Sequence, residues 1–213
     1  MPSAAHVLAF TAAAAVIVAI PGPSLLFTIG RALSVGRRDA LLTVLGNGLG
    51  LTVQVIGVSV GLGALVAASA LAYTGLKLVG AAYLVYLGVQ AVRHRRSISE
   101  ELGLNPPAPL PAWRVLRTGV FVGVTNPKTV VFLGALLPQF IDRSAGGTTG
   151  QMVLLGAIFV VLAVTGDGCV ALAASRAREW FTTSPRRLQR VGGAGGLMMI
   201  GLGAGLVVTG RPD

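Results

Sequence analysis

Charged residues and cysteine are scarce in this sequence. Only 11% of the 213 residues are charged, 54% are hydrophobic and 30 are glycine, a balance unlike that of an ordinary soluble domain. The single cysteine, Cys169, excludes an intrachain disulfide, and His6 and His94 lack the spacing of a metal site. We therefore expect a polytopic membrane protein without a metal or a cofactor.

Motifs of ATPases and hydrolases are missing as well. No phosphate-binding loop of the form G-x-x-x-x-G-K-S/T occurs, so coupling to ATP within this chain is unsupported. Residues 57–61 match the nucleophile-elbow pattern G-x-S-x-G, but that motif needs a strand before it and acid and histidine partners nearby. We therefore predict that the protein is not an enzyme.

Six apolar runs are each long enough to cross a bilayer, which requires about 20 residues of helix. No stretch between them is long enough for a soluble domain, so residues 1–213 are predicted to form a single transmembrane domain. The predicted fold class is all-α, a polytopic membrane protein with six transmembrane helices. The runs lie at residues 4–29, 40–68, 71–92, 118–140, 151–174 and 191–208.

The net charge of +10 is distributed unevenly among the predicted loops. Most of the 17 lysines and arginines lie in the loops that follow the first, third and fifth helices, which are all on one side of the membrane. The positive-inside rule assigns that side to the cytoplasm and both termini to the outside. The basic surplus therefore reflects membrane topology, and the expected partner is the lipid bilayer and not nucleic acid.

A polar, proline-rich segment divides the chain into two halves. Residues 97–113 are predicted to be a cytoplasmic linker between three-helix units at 1–96 and 114–213. Because three is odd, a duplicated unit would insert in the opposite orientation, which predicts a 3+3 inverted repeat. Residues 76–82 and 188–194, in the third and sixth helices, share Leu, Val, Gly and Ala in the same order.

The first predicted helix is interrupted by Pro21, Gly22, Pro23 and Ser24. Each proline lacks a backbone N–H, and its ring clashes with the carbonyl four residues back. In lipid such a break is tolerated only where the freed backbone is buried in protein or lines a wet cavity, and in transporters it commonly forms the substrate site. We predict a substrate site here; a packing kink is the alternative. If the helix continues to Gly36, the break lies near its middle.

The fourth predicted helix has a second break, at Asn126, Pro127 and Lys128. A lysine at the bilayer centre costs about 2.5–3.5 kcal/mol on insertion scales, so its side chain should face the bundle interior and have a partner. Asp167, in the fifth helix, is the sole predicted intramembrane carboxylate. We predict that Asp167 approaches Lys128 and that one of the two changes protonation during transport; a purely structural ion pair is the alternative.

Polar residues follow helical spacing along the second predicted helix. Thr43, Asn47, Gly50 and Gln54 form a stripe that could hydrogen-bond the substrate or, alternatively, another helix. Small residues form an adjacent face that favours close helix packing, namely Gly46, Gly50, Gly57 and Gly61.

The order and spacing of several motifs resemble a known family. They are Pro-Gly-Pro-Ser at 21–24, the turn at 36–38, the segment 76–84, Thr-Asn-Pro-Lys at 125–128 and Leu-Leu-Pro-Gln-Phe at 136–140. Together they resemble the lysine-exporter and homoserine/threonine-exporter (LysE/RhtB-type) translocators over nearly the whole chain. The resemblance implies a proton-driven secondary exporter, an antiporter, of amino acids or close derivatives in the bacterial cytoplasmic (inner) membrane.

A neutral substrate fits the titratable groups of this sequence. Leu51 and Gln54 add no second acid or histidine on the second helix, so pairing of Asp167 with Lys128 would leave no anion for a basic substrate. The expected partners are a small-molecule amino acid and protons, and a homo-oligomer is left open. An inorganic-ion (metal cation) transporter or channel of related architecture is the alternative, although the scarcity of acids weighs against it. A membrane enzyme or an assembly factor is a further alternative to an exporter.

The predicted mechanism brings the two breaks together. The half-helix that begins after Pro23 would present free N–H groups to the substrate carboxylate, and Ser24 would add a hydroxyl. Lys128 would supply positive charge, while Asp167 would bind the substrate amine or the exchanged proton. One three-helix unit would then rock against the other.

Overall fold

The computed structural model describes residues 2–68, 70–93, 110–142, 144–177, 180 and 184–208. Within them the chain forms eight α-helices and one 3-10 helix, with no strand. Most of the predicted linker at 97–113 lies outside the described residues. The helices are α1 (Ala4–Ala19), α2 (Pro23–Ser34), α3 (Arg37–Ala68), α4 (Ala70–Arg93), α5 (Ala112–Val124), α6 (Pro127–Ala135), the 3-10 helix (Leu137–Phe140), α7 (Thr148–Arg176) and α8 (Pro185–Val208).

Four segments of the described chain have the length and hydropathy of membrane spans. Two are single helices, Arg37–Gly61 of α3 and the whole of α7. The other two are bent pairs: α1 and α2 meet at 50°, and α5 and the Pro127–Phe140 segment meet at 43°. An all-helical membrane architecture is therefore confirmed, while the six-span arrangement stays a prediction.

The first bend lies where the prolines predicted it. Helix α1 ends at Ala19, and Pro23 is the first residue of α2, with Gly22 as an extended N-cap. Proline is tolerated at this first position because the amide it lacks would have no helical partner there. Helix α2 continues to Ser34, so the alternative in which the helix extends towards Gly36 is correct. Gly36 itself turns the chain into α3 with φ of 124°, a conformation that favours glycine.

The second bend has the same construction. Helix α5 ends at Val124, Asn126 is the extended N-cap and Pro127 is the first residue of α6. The Asn126 side chain accepts a hydrogen bond from the backbone amide of Lys128 at 3.1 Å, which is a typical N-cap contact. Both breaks therefore restart a helix with proline immediately after its cap.

Helix α3 lies at the centre of the packing and contacts α5 and α7 most extensively. The contact with α5 is close because glycines face one another: a Cβ on Gly46 would lie 2.9 Å from the Cα of Gly119. A Cβ on Gly50 would likewise lie 2.8 Å from the Cα of Gly123. A Cβ on Gly57 or Gly61 would have no atom of the described residues within 4 Å, so within the described part of the chain only the first half of the predicted four-glycine face packs closely.

The face of α3 turned away from these contacts is apolar and exposed. An exposed apolar stripe at helical spacing suits contact with lipid tails, and the buried polar residues of α3 consequently point into the bundle. The exposed residues are Leu45, Leu49, Val53, Ile56 and Val60, each more than half exposed.

Aromatic packing fixes the position of α6 in the bundle. The ring of Phe132 lies 4.9 Å from that of Phe159 on α7 and 5.9 Å from that of Phe10 on α1, measured between centroids. All three side chains are fully buried. Contacts of this kind add to the burial of apolar area, and they hold the second break against α1 and α7.

Candidate functional site at the two helix breaks

The two proline breaks meet through side chains of the second break, beginning with Asn126. Asn126 donates a hydrogen bond from Nδ2 to Ser24 Oγ at 2.9 Å, and both side chains are buried. Asn126 therefore caps α6 with its oxygen and reaches the first turn of α2 with its nitrogen. The first amides of α2 receive no side-chain cap, because Gly22 has no side chain, so they remain available to an acceptor.

Lys128 contacts the backbone that the first break exposes. Its ammonium donates to the carbonyl oxygens of Ile20 at 2.8 Å and Ile17 at 3.1 Å, and only 4% of the residue is exposed. In an unbroken helix, the Ile17 carbonyl would accept a hydrogen bond from the amide of residue 21, but Pro21 has no amide hydrogen. At the break this carbonyl accepts from the amide of Ile20 at 3.2 Å as well as from Lys128. A cation at a helix C-terminus is also favoured by the helix dipole. Lys128 therefore caps the C-terminus of α1.

Asp167 lies across the bundle interior from Lys128, on α7. Its carboxylate accepts a hydrogen bond from Asn47 Nδ2 at 3.1 Å, and 6% of the residue is exposed. The other atom of that amide, Asn47 Oδ1, is buried without a partner. Asp167 and Lys128 line the same cavity, as the predicted approach requires. The alternative of a purely structural ion pair does not fit, because the lysine donates to main-chain oxygens and the aspartate accepts from an amide.

The cavity between these groups is small. Its volume of about 10 Å³ is close to the minimum for one water molecule, so an amino acid does not fit without movement of the helices. We call it the inner cavity. It is lined by Val18, Ser24, Asn47, Leu51, Asn126, Lys128, Thr129, Phe159, Ala163 and Asp167.

Comparison with known proteins identifies the family. A model of the LysE type translocators matches residues 15–210. The chain belongs to the LysE type translocator family. The resemblance inferred from the proline motifs is thereby confirmed.

Several relatives of this translocator match it over most of their length. It is 38% identical over 197 residues to an uncharacterized membrane protein of Vibrio cholerae, covering 92% of this chain and 93% of the relative. It is 32% identical over 184 residues to a homoserine/homoserine lactone efflux protein of Salmonella typhimurium, covering 86% and 87%. It is 24% identical over 193 residues to a leucine efflux protein of Enterobacter sp., covering 89% of each chain. No solved structure matches the chain.

Gln54 of the translocator holds the second break together and does not line the inner cavity. Its Nε2 donates at 2.8 Å to the carbonyl oxygen of Val124, which the break leaves without a helical partner. The same Nε2 donates at 3.2 Å to the carbonyl oxygen of Asn126, which also accepts the first helical hydrogen bond of α6. Its Oε1 accepts from Thr129 Oγ1 at 2.7 Å. Thr129 lines the cavity and was missed from the sequence, although it is a polar residue directly after Lys128 in an apolar run.

The remaining residues predicted for the site surround it. Pro21 and Gly22 do not line the inner cavity; a Cβ on Gly22 would lie 3.0 Å from the Cδ of Lys128, so the glycine leaves space for the lysine chain. Pro23 and Pro127 line a separate cleft between α2 and α5. The structure therefore brings Ser24, Asn47, Asn126, Lys128 and Asp167 together and leaves the other predicted residues in supporting positions.

Buried polar atoms without partners continue from the inner cavity along α2 and α3 of the translocator. Among the described residues they include Thr28 Oγ1 and Asp39 Oδ2, on residues that are 0% and 8% exposed, as well as Asn47 Oδ1. Asp39, Thr43 and Asn47 are four residues apart and so share one face of α3. An unsatisfied buried polar group costs about 1–3 kcal/mol. Hydration of these groups would therefore stabilise the protein.

Proposed function

We propose that this LysE type translocator is a secondary active exporter of uncharged amino acids or close derivatives, coupled to protons, in the bacterial cytoplasmic membrane. The observation that carries the proposal is the meeting of two proline-broken helices beside a cavity with an ammonium on one wall and a carboxylate on the other. Relatives named as homoserine and leucine efflux proteins support the substrate class and the direction of transport.

The two walls match the two charges of an amino acid. Lys128, the Ser24 hydroxyl and the uncapped amides at the start of α2 are donors, and they suit a carboxylate. Asp167 and the free Asn47 Oδ1 are acceptors, and they suit an ammonium. A zwitterion bound between them would neutralise both walls, whereas an inorganic cation would satisfy only one.

Asp167 is the group that we assign to proton coupling. It is buried at 6% exposure, and its carboxylate is held by an amide and not by a counter-ion. In the proposed cycle it carries a proton inward from the outside. Binding of the substrate ammonium on the cytoplasmic side then favours the ionised carboxylate, and the proton leaves to the cytoplasm. One proton thus exchanges for one substrate molecule.

The packing supports the proposal of two three-helix units of opposite orientation. Besides the two matching breaks, α3 packs on α7 and α4 packs on α8. In a repeat of three spans, α3 and α7 are the equivalent second spans of the two units, and α4 and α8 are the equivalent third spans. Equivalent helices contact one another when they lie beside a two-fold axis, as in transporters with inverted repeats.

An alternating-access cycle accounts for the size of the inner cavity. At about 10 Å³ it represents an occluded state. The unpartnered Thr28, Asp39 and Asn47 atoms lie between the breaks and the α2–α3 turn, which the basic loops assign to the cytoplasm. We infer that this route becomes hydrated when the protein opens towards the cytoplasm, with both termini on the opposite side.

Transport in proteoliposomes tests the proposal. Purified protein is reconstituted into vesicles loaded with labelled leucine, homoserine, alanine or lysine, and efflux is measured with and without an imposed pH gradient. We expect efflux of at least one uncharged amino acid, accelerated when the outside is acidic relative to the inside, and little efflux of lysine. No efflux of any uncharged amino acid, or movement of metal cations instead, would reject the proposed function.

A further inference from the structure

A second, larger space lies on the other side of the Asn126–Ser24 hydrogen bond. It is a cleft of about 290 Å³ between α2 and α5, near the lower end, about 300 Å³, of pockets that hold small molecules. Pro23 and Phe27 bound it on α2, and Phe121 and Val122 bound it on α5. We call it the side-chain cleft.

The side-chain cleft and the inner cavity share one wall. Ser24 and Asn126 line both spaces, and the hydrogen bond between them, 2.9 Å long, is the contact that closes the gap between the two breaks. Separating Ser24 Oγ from Asn126 Nδ2 would therefore join the polar cavity to the cleft. The joined space would have charged groups at one end and apolar surface at the other.

The lining of the cleft determines which side chains it accepts. None of its lining residues is charged, and the hydroxyl of Thr125 already donates to the carbonyl of Phe121 at 2.7 Å. Arg31 holds its guanidinium 5.6 Å from the Phe27 ring but does not line the cleft. A charged side chain would be desolvated here without a partner, which is strongly unfavourable. An apolar side chain would make favourable contacts with Phe27, Phe121 and Val122.

We propose that the side-chain cleft binds the apolar side chain of the exported amino acid, while the inner cavity binds its ammonium and carboxylate. This assignment rests on the proposed function and extends it to the substrate class. The inner cavity alone is too small for the substrate, and the adjoining cleft supplies the missing volume. In this arrangement Val122 and Phe121 determine specificity, and the Asn126–Ser24 hydrogen bond opens when the substrate enters.

Changing the size of residue 122 tests the assignment. Val122→Phe fills the cleft and should reduce efflux of labelled leucine from proteoliposomes roughly tenfold or more relative to alanine, because a lost methylene contact in an apolar pocket is worth a factor of that size. Val122→Ala should change the leucine-to-alanine ratio far less. Val124→Phe is the matched control, since Val124 is on the same helix and exposed but does not line the cleft.

The outcomes separate the two proposals. If wild-type protein exports neither leucine nor alanine nor another uncharged amino acid, the proposed function fails. If the wild type exports them but Val122→Phe leaves the leucine-to-alanine ratio unchanged, the side-chain assignment is overturned. This holds whether the variant reduces efflux of both amino acids equally or affects neither. Monodisperse elution of Val122→Phe in detergent together with retained alanine efflux excludes misfolding as the cause of a selective loss.

Discussion

The close approach of α3 to α5 makes Gly50 the strongest test of how the site is held. In Gly50→Ala the added methyl group would lie 2.6 Å from the amide nitrogen of Val124 and 2.8 Å from the Cα of Gly123, whereas ordinary contacts begin at 3.4 Å. Both neighbours are backbone atoms, so no side chain can rotate away. The two helices must therefore separate locally by about 1 Å.

That separation acts on the second break, because Gln54 lies one turn further along α3. Gln54 Nε2 donates to the Val124 carbonyl at 2.8 Å, and an added distance of about 1 Å exceeds the usual limit of a hydrogen bond. Overpacking costs about 1–3 kcal/mol, and each lost hydrogen bond costs about 0.5–1.5 kcal/mol. These two costs lower the free energy of unfolding of Gly50→Ala by about 1.5–4.5 kcal/mol, against a gain of about 1 kcal/mol from the higher helix propensity of alanine.

Gly57→Ala is the matched control on the same helix. A Cβ at Gly57 has nothing within 4 Å, and alanine is the better helix former by about 1 kcal/mol. This variant should be as stable as the wild type or slightly more stable.

Thermal unfolding of the two variants in detergent, followed by circular dichroism, measures the difference. From the relation between stability and Tm in globular domains of this size, the Tm of Gly50→Ala should be roughly 10 °C below that of Gly57→Ala. Leucine efflux from proteoliposomes should fall in Gly50→Ala and persist in Gly57→Ala. Equal Tm values for the two variants would show that α3 and α5 are not in close contact and would refute the reasoning.

Three further variants test the groups at the breaks. Lys128→Met loses two hydrogen bonds but also removes a buried charge, so we expect a stability change below about 3 kcal/mol with efflux reduced roughly tenfold; normal efflux would exclude Lys128 from the site. Asp167→Asn cannot ionise, so efflux should no longer respond to a pH gradient, and a normal response would remove its proton role. In a Cys169→Ser background, Thr43→Cys should react with an impermeant thiol reagent from the cytoplasmic side roughly tenfold faster than Leu45→Cys, whose lipid-facing thiol cannot ionise; equal rates would contradict the hydrated route.

The helix breaks were predictable because their cause is local. Pro23 and Pro127 each begin a helix, as expected for a residue that lacks an amide hydrogen and has a fixed φ. The apolar runs likewise predicted the helices, since hydropathy is a property of consecutive residues. The predicted helix ends agree less well with the structure than the predicted breaks do. For example, α5 begins at Ala112, six residues before the predicted run at 118–140.

The partner of Lys128 was not predictable in the same way. The sequence contains one predicted intramembrane acid, so Asp167 was the residue expected to approach Lys128. The structure instead joins the ammonium to the carbonyl oxygens of Ile17 and Ile20. Every residue has a carbonyl oxygen, so no side-chain pattern indicates which carbonyls will be free and within reach.

The glycines of α3 show the same limit. Their spacing predicted one packing face, yet Gly46 and Gly50 lie against the backbone of α5, while no described residue lies within 4 Å of a Cβ built on Gly57 or Gly61. The difference depends on where α5 crosses α3 and ends at Val124, a property of two helices far apart in the chain.

The sequence by itself determined that the chain is a bundle of apolar helices with two proline breaks, and that Lys128 and Asp167 lie within apolar runs, because each of these follows from a residue and its immediate neighbours. Only the tertiary structure decided that the breaks meet at Ser24 and Asn126, that Lys128 caps α1 and that the polar cavity adjoins an apolar cleft. Those features depend on distances between remote helices, which are set by close packing of the whole bundle and not by any local preference.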